Sequence, residues 1–230
     1  MQTKKETQYD IFCKKISYVF NQPKLLHEAL THRSHSSSHN ERLEFLGDSV
    51  LNCAVAALIF KRYPELPEGD LSRLRANLVN QHALSELALS LNLGVLIQLG
   101  EGEQKSGGHR RPSILADALE AVLGAVYLDS DFTQAEKVVT TLYMPLLENI
   151  NSTTPGKDPK SLLQELLQSR KLALPEYFVI TTSGEAHKQK FKVECVVPEF
   201  NIRTIGEGMS RRSAEQEAAK QAYEQVCSHR

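Results

Sequence analysis

The chain has 230 residues, of which 41% are hydrophobic and 24% charged, so its composition is that of an ordinary globular protein with one large domain or two smaller ones. The net charge of −1 neither favours nor opposes a polyanionic partner, and binding to a nucleic acid would require a local basic patch. No segment approaches the roughly 20 consecutive apolar residues of a membrane span, and no secretory signal is visible. Four widely spaced cysteines indicate reduced thiols in a cytoplasmic protein.

Helical periodicity runs through residues 1–148. Pro23 suits the first position of a helix, and Asn40 is a good N-cap residue for the next one. Leucines on either side of Asn80 keep helical spacing but are out of phase, which predicts two helices with a break there. The predicted helices cover residues 23–31 and 40–63, begin near residues 68 and 81, and then cover residues 112–128 and 133–148.

The pattern changes after residue 148. Residues 149–158 are polar and rich in turn-forming residues, which predicts a linker between two domains. Residues 159–230 then have the order α-β-β-β-α, which predicts one small α+β domain. Its predicted helices cover residues 159–170 and 210–226, and its predicted strands cover residues 177–182, 191–197 and 202–206.

Three carboxylates occur close together at the start of the predicted helix 40–63. Glu41, Glu44 and Asp48 stand at i, i+3 and i+7, a spacing that places them on one face of a helix. Because like charges beside an apolar core repel one another and lose hydration, such a cluster needs a compensating partner. The natural partner is a divalent cation.

A second acidic pair, Asp117 and Glu120, lies on a helix whose other residues are almost all apolar. A helix that is apolar nearly all round is buried, so these two carboxylates are predicted to be buried and to need partners. If this helix packs against the first one, Glu44, Asp48, Asp117 and Glu120 form a four-carboxylate site. An all-oxygen donor set selects Mg²⁺ or Mn²⁺, the cations that assist phosphodiester hydrolysis.

Glycines and histidines occur close to these carboxylates in the sequence. Gly47 and Gly124 allow the two helix backbones to approach closely, although glycine also serves ordinary helix packing. A histidine pair could cleave RNA without a metal. His32, His35 and His39 are close in sequence, but no partner pattern supports catalysis by them, and a structural or solvated role is the expectation.

Residues 40–49, which read Asn-Glu-Arg-Leu-Glu-Phe-Leu-Gly-Asp-Ser, closely resemble the signature of the ribonuclease III family. Residues 114–121 resemble the second metal-binding motif of that family, and further motifs match in the same order at residues 29–34, 67–72 and 105–108. The resemblance implies an all-α N-terminal endonuclease domain at residues 1–148, followed by a double-stranded RNA-binding domain of the α-β-β-β-α type at residues 159–230.

The resemblance also implies an activity. The chain would be a Mg²⁺-dependent endoribonuclease, with Mn²⁺ able to substitute, that cuts both strands of an RNA duplex and leaves 5′-phosphate and 3′-hydroxyl ends. The metal ligands implied are Glu44, Asp48, Asp117 and Glu120, and among these Asp48 and Glu120 are the catalytic residues that matter most. Expected substrates are ribosomal RNA precursors and structured messenger and small RNAs.

Two further acidic residues have less certain roles. In the family, the position of Glu41 lies near the subunit contact, and that of Glu68 lies near the processing centre without being a core ligand. A surface or interface salt bridge explains either residue equally well. The family is a homodimer through its helical domain, and Phe45 and Leu46 are candidates for that interface or for ordinary core packing.

The C-terminal residues resemble those with which double-stranded RNA-binding domains contact RNA. Such domains span two minor grooves and the phosphates of the major groove between them. The positions implied are Gln164 and Glu165 on the first helix, His187 in the loop 184–187, and Ser210, Arg211 and Arg212 at the start of the last helix. Family members often have a third basic residue where this chain has Ser213, which removes one possible phosphate contact.

Two other functions remain open. A double-stranded RNA-binding protein without nuclease activity would be favoured by the loss of any metal carboxylate, and all four are present. A metal-dependent hydrolase of nucleotides is the third possibility, and the RNA-binding pattern argues against it.

Overall fold

The computed structural model describes residues 7–148, 157–184 and 189–228. It divides the chain into two compact units, with the boundary between Gly156 and Lys157. Residues 149–156 of the predicted linker lie outside the described part. Asp158, predicted as linker, belongs structurally to the second unit, because its carboxylate accepts the N–H of Ser161 (3.1 Å) at the start of a helix.

The first unit is built from helices, as predicted. Their bounds are α1 Gln8–Lys15, α2 Pro23–Ala29, α3 Glu41–Arg62, α4 Glu68–Leu78, α5 Gln81–Ser90, α6 Glu101–Lys105, α7 Pro112–Asp129 and α8 Phe132–Glu148. The predicted break at Asn80 is confirmed, since the Asn80 side chain accepts the N–H of Ala83 and begins α5. The prediction that Asn40 caps α3 was wrong, because Asn40 precedes the helix without a side-chain capping hydrogen bond.

Two helices were not predicted. Thr7 is the N-cap residue of helix α1 and forms a reciprocal capping box with Asp10. Helix α6 has only five residues, too few for a hydrophobic period to be recognised.

Helix α7 is the centre of the first unit. Twelve of its residues are buried, and it packs against α2, α3, α5 and α8. Helix α3 is long and apolar enough to pass a length and composition test for a membrane span, contrary to the expectation that no segment would. This is weak evidence for a membrane, since a core helix of a globular protein passes the same test, and α3 packs against α4, α7 and α8.

A buried carboxylate joins the end of α7 to the loop before α2. Asp129 is 9% exposed and accepts hydrogen bonds from the Tyr18 hydroxyl (2.7 Å) and from the N–H groups of Asn21 (2.7 Å) and Gln22 (2.8 Å). Burial tends to raise the pKa of Asp129, but these hydrogen bonds outweigh it and hold the pKa below its ordinary value.

The second unit has the predicted order α-β-β-β-α. Its elements are α9 Pro159–Ser169, β1 Glu176–Ser183, β2 Lys190–Val197, β3 Ile202–Gly208 and α10 Arg211–Ser228. The strands form an antiparallel sheet in the order β1-β2-β3. Helix α10 packs against α9, β2 and β3, and a small core that includes Leu163, Cys195 and Ala218 lies between the helices and the sheet.

Candidate metal centre and basic surface

Three of the predicted metal-binding carboxylates lie together at the contact between α3 and α7. One carboxylate oxygen from each of Glu44, Asp117 and Glu120 lies within 4.8 Å of the others. All three residues are half-buried, so the prediction that Asp117 and Glu120 are buried was too strong. Their placement at the edge of the core leaves the oxygens accessible to a small cation.

Two glycines allow this close packing of the helices. A β-carbon at Gly47 would overlap the backbone oxygen of Glu120, and one at Gly124 would overlap the backbone oxygen of Leu43. Both positions therefore require glycine for a steric reason, although each lies inside a helix where glycine costs about 1 kcal/mol. The predicted close approach of the two backbones is confirmed.

The electrostatics of the cluster favour a cation. Burial raises the pKa of Glu120 to about 8, and the charges of Asp48, Asp117 and Glu44 add to the rise. Burial also raises the pKa values of Glu44 and Asp117, and neighbouring carboxylates raise that of Glu44 further. Without a cation, full ionisation of the three groups is unfavourable, and a bound dication would remove this penalty.

Asp48, the fourth predicted ligand, lies beside the cluster and outside the group of three. It is exposed on α3, and its charge raises the pKa of Glu44 and Glu120. The Asn52 side-chain amide donates to Asp48 Oδ1 (2.7 Å) and to the backbone oxygen of Asp48 (3.0 Å). Sequence reasoning missed Asn52, although its i+4 spacing from Asp48 was a usable signal.

Glu41 and Glu68 do not join the group of three. Glu41 Oε1 accepts from the Arg33 guanidinium (3.1 Å), and its other oxygen is 3.8 Å from His39 Nδ1. Glu68 accepts from the Ser72 hydroxyl (2.7 Å) on the next turn of α4. Both contacts agree with the salt-bridge or surface role that the sequence left open.

His32, His35 and His39, which are close in sequence, do not form a catalytic pair in the structure. His32 lines a cavity of about 660 Å³ that Glu44 and Asp117 also line. His35 lies at a separate cavity, and His39 is beside Glu41. This distribution gives no support to the metal-free mechanism.

In the second unit, three of the predicted RNA-binding residues line one shallow hollow. Gln164 on α9 and Arg211 and Arg212 on α10 share it with Lys160. Glu165 is exposed on α9, where Lys157 forms an ion pair with it at 2.6 Å. His187 lies outside the described residues.

A buried carboxylate that the sequence reasoning missed lies beneath this hollow. Glu215 is 9% exposed and binds Lys160 Nζ (2.5 Å) through one oxygen and Arg211 Nε (2.8 Å) through the other. Lys160 also stands over the ring of Tyr177, 4.3 Å from its centre. Lys160 and Arg211, two of the three cations of the hollow, are therefore held in fixed positions.

Ser213 stands where family members often have a basic residue, and here it has a structural role at the start of α10. The Ser210 hydroxyl accepts the N–H of Ser213 (3.1 Å), and the Ser213 hydroxyl accepts the N–H of Ser210 (3.0 Å). This reciprocal pair satisfies backbone donors at the start of α10. Ser210 therefore acts as a cap at the start of α10.

The fold and the site define a two-domain protein, in which a helical domain with a carboxylate cluster precedes a domain of the double-stranded RNA-binding type. Residues 22–147 match the family model described as Ribonuclease-III-like, and residues 159–226 match the double-stranded RNA binding motif. The chain belongs to the ribonuclease III family.

Known relatives are similar in sequence to this chain over almost its full length. Ribonuclease 3 of Nitrosomonas europaea is 63% identical over 96% of this chain and 91% of its own, and ribonuclease 3 of Cupriavidus pinatubonensis is 59% identical over 94% and 85%. Among solved structures, a nuclease domain of ribonuclease III from Campylobacter jejuni is 43% identical. It covers 59% of this chain and 96% of its own, with a TM-score of 0.57.

Proposed function

We propose that this protein is a metal-dependent endoribonuclease that cleaves both strands of double-stranded RNA. The observation that carries the proposal is the group formed by Glu44, Asp117 and Glu120, whose oxygens converge within 4.8 Å beside the exposed Asp48. Membership of the ribonuclease III family and the double-stranded RNA-binding motif support the same substrate.

The residues present fit a magnesium ion. The donor set consists of carboxylate oxygens only, which suits Mg²⁺ and also Mn²⁺. Glu44, Asp117 and Glu120 would hold the metal together with Asp48, and Asp48 and Glu120 are the residues whose loss should matter most. A cation held there would supply an activated water and would offset the negative charge of the scissile phosphate. Since water and not the RNA 2′-hydroxyl attacks, the products carry 5′-phosphate and 3′-hydroxyl ends.

Binding of the duplex is assigned to the second unit. Arg211, Arg212 and Ser210 at the start of α10 suit the phosphates bordering the major groove, because a helix N-terminus and guanidinium groups both attract phosphate. Gln164 and Glu165 on α9 suit the 2′-hydroxyls of a minor groove. His187 is proposed to contact a second minor groove.

A homodimer supplies the second active site that a second strand requires. The described residues of one chain form one such carboxylate cluster, and two antiparallel strands call for two clusters related by a two-fold axis. Phe45, next to Glu44 on α3, is 79% exposed, which is unusual for a large apolar side chain and suits a subunit contact, whereas Leu46 is half-buried. A solved nuclease domain from Campylobacter jejuni is described as having a region involved in dimer formation.

The cellular role follows from the relatives by analogy. We expect a cytoplasmic enzyme that matures ribosomal RNA precursors and processes structured messenger, transfer and small RNAs. Glu41 and Glu68 are proposed as supporting residues, Glu41 through its pair with Arg33 near the subunit contact.

Cleavage of a perfect RNA duplex tests the proposal. Purified protein should cut both strands in Mg²⁺, should be inactive in EDTA, and should leave 5′-phosphate ends when the fragments are mapped. Glu120→Gln should bind the duplex without cutting it. Duplex binding by the wild-type chain without cleavage in Mg²⁺ or Mn²⁺ would instead identify a non-catalytic RNA-binding protein.

A further inference from the structure

The segment 29–34, which resembles a family motif, has no part in the carboxylate cluster, and the structure joins it to residues 98–100. The His32 N–H donates to the Gln98 backbone oxygen (3.0 Å), and the Gly100 N–H donates to the Ser34 hydroxyl (2.9 Å). A β-carbon at Gly100 would overlap the Ser34 backbone oxygen, so the two segments are in tight contact. Residues 31–34 are therefore anchored to the segment that leads into α6.

Basic residues also line the cavity beside the metal cluster. Glu41, Glu44, Glu103 and Asp117 line this cavity, and so do His32, Arg33 and Arg111. We call these three residues the basic wall. Arg111 is engaged within the wall, because it pairs with Glu103 (2.6 Å) and donates to the Ser106 hydroxyl (3.3 Å).

Arg33 is the cation of the wall that is available to a ligand. Its side chain is 70% exposed, and the ion pair that the structure gives it, with Glu41 at 3.1 Å, involves one of its two terminal nitrogens. A guanidinium group has five N–H donors, so this pair leaves donors for a further acceptor. The charge of Arg33 reaches the cluster, since it tends to lower the pKa values of Glu44 and Asp117.

His32 presents a second donor beside Arg33. Its Nδ1 accepts the N–H of Ser34 (3.2 Å), so the neutral ring carries its proton on Nε2. The lining of this cavity contains a guanidinium and an imidazole N–H besides its carboxylates, and these two donors suit a ligand that is anionic and has several acceptor oxygens. A phosphodiester has both properties.

We propose that Arg33, assisted by His32, binds a phosphate of the RNA backbone next to the scissile phosphate and so sets the register of the strand over the carboxylates. This inference rests on the proposed function. The carboxylate cluster by itself repels a strand with one negative charge per nucleotide, and the basic wall provides an attractive contact that positions the strand without reading its sequence.

The test measures RNA binding without cleavage. In the full chain with Glu120→Gln, in EDTA, the affinity for a perfect RNA duplex is determined over a series of salt concentrations. Adding Arg33→Gln should reduce the slope of log affinity against log salt by about one, the value for one lost phosphate contact, and Arg33→Lys should restore it. With Glu120 intact, Arg33→Gln should lower the single-turnover cleavage rate about 10- to 100-fold while calorimetric titration still shows Mg²⁺ binding.

Two controls separate the possible explanations. Arg62→Gln removes an exposed arginine at the end of α3, outside the lining of the cavity, and should leave the salt slope unchanged. Glu41→Gln breaks the ion pair while keeping Arg33, and should not reduce the slope. A slope unaffected by Arg33→Gln, or reduced equally by Glu41→Gln, would overturn the inference. Failure of the wild-type chain to cleave duplex RNA would overturn the proposed function, whereas the salt slope is measured without cleavage.

Discussion

Gly47 on α3 lies against the backbone oxygen of Glu120 on α7, with no room for a β-carbon between them. This contact sets how closely the two helices approach, and therefore whether Glu44 can share a cation with Asp117 and Glu120. A residue without a side chain thus controls the geometry of the candidate metal centre.

Gly47→Ala should damage stability and metal binding together. The added methyl group forces α3 and α7 apart, at a cost of about 1–3 kcal/mol, which lowers Tm by about 2–4 °C per kcal/mol for a chain of this size. Calorimetric titration with Mg²⁺ should show weaker binding. Gly69→Ala on α4 is the matched control, because nothing lies within 4 Å of a β-carbon there. Equal Mg²⁺ affinity in Gly47→Ala and wild type would contradict this explanation.

Glu120→Gln should stabilise the metal-free protein at high pH. Its folded pKa of about 8 lies above the ordinary value of 4.5, so the fold is progressively penalised as pH rises between these values. The variant has no charge to bury, so its Tm in EDTA should exceed that of wild type at about pH 9 and converge with it below about pH 4.5. Exposed Glu86 provides the control, Glu86→Gln. A constant Tm difference across the whole pH range would argue against the titration of Glu120.

Asn52→Ala should weaken metal binding without unfolding the protein. Removing the donor to Asp48 Oδ1 frees that carboxylate to rotate away from the cluster, and loss of such a support costs about 10- to 100-fold in metal affinity. Titration with Mg²⁺ and Mn²⁺ measures the effect, with Ser49→Ala as the control on the same turn of α3. If Asn52→Ala binds Mg²⁺ as tightly as wild type, Asp48 does not depend on this hydrogen bond.

Asp129→Asn should destabilise the first domain by about 2 kcal/mol, the size of hydrogen bonds made to a charged acceptor. The folded pKa of Asp129 lies below its ordinary value of 3.8, so its contribution is present above about pH 4 and is lost as pH falls through the folded pKa. Urea unfolding should show a difference in the free energy of unfolding between variant and wild type at neutral pH, and this difference should disappear in acid. An equal difference in acid would show that the loss comes from packing and not from the charge.

Glu215→Gln should weaken RNA binding even though it makes the protein more positive. Glu215 holds Lys160 and Arg211 in place, and its pKa is held down by these two cations against the opposing effect of burial. Without the carboxylate, both side chains must be ordered again when RNA binds, which costs affinity. Glu217→Gln, exposed on the same helix, changes the charge equally and should bind slightly tighter. Tighter binding by both variants would mean that only net charge matters.

Several features follow from the sequence by itself. The fold class and the break at Asn80 depend on local periodicity and capping chemistry, which are encoded in neighbouring residues. The family motifs pointed to the same carboxylates from which the structure assembles its group of three. Helix α1 was missed although the capping box of Thr7 and Asp10 was a usable signal in the sequence.

Other features exist only in the tertiary structure. The approach of Glu44 to Asp117 and Glu120 brings together residues more than seventy positions apart. The ion pair of Glu215 with Lys160 joins α10 to α9. The sequence indicated that Asp117 and Glu120 needed partners but not how deeply they lie, since their half-burial depends on how α3 covers α7. Local patterns specify which residues form a helix, whereas distances between helices are set by the packing of whole surfaces. For that reason the ligand types were predictable from sequence, and the arrangement of the site was decided by the fold.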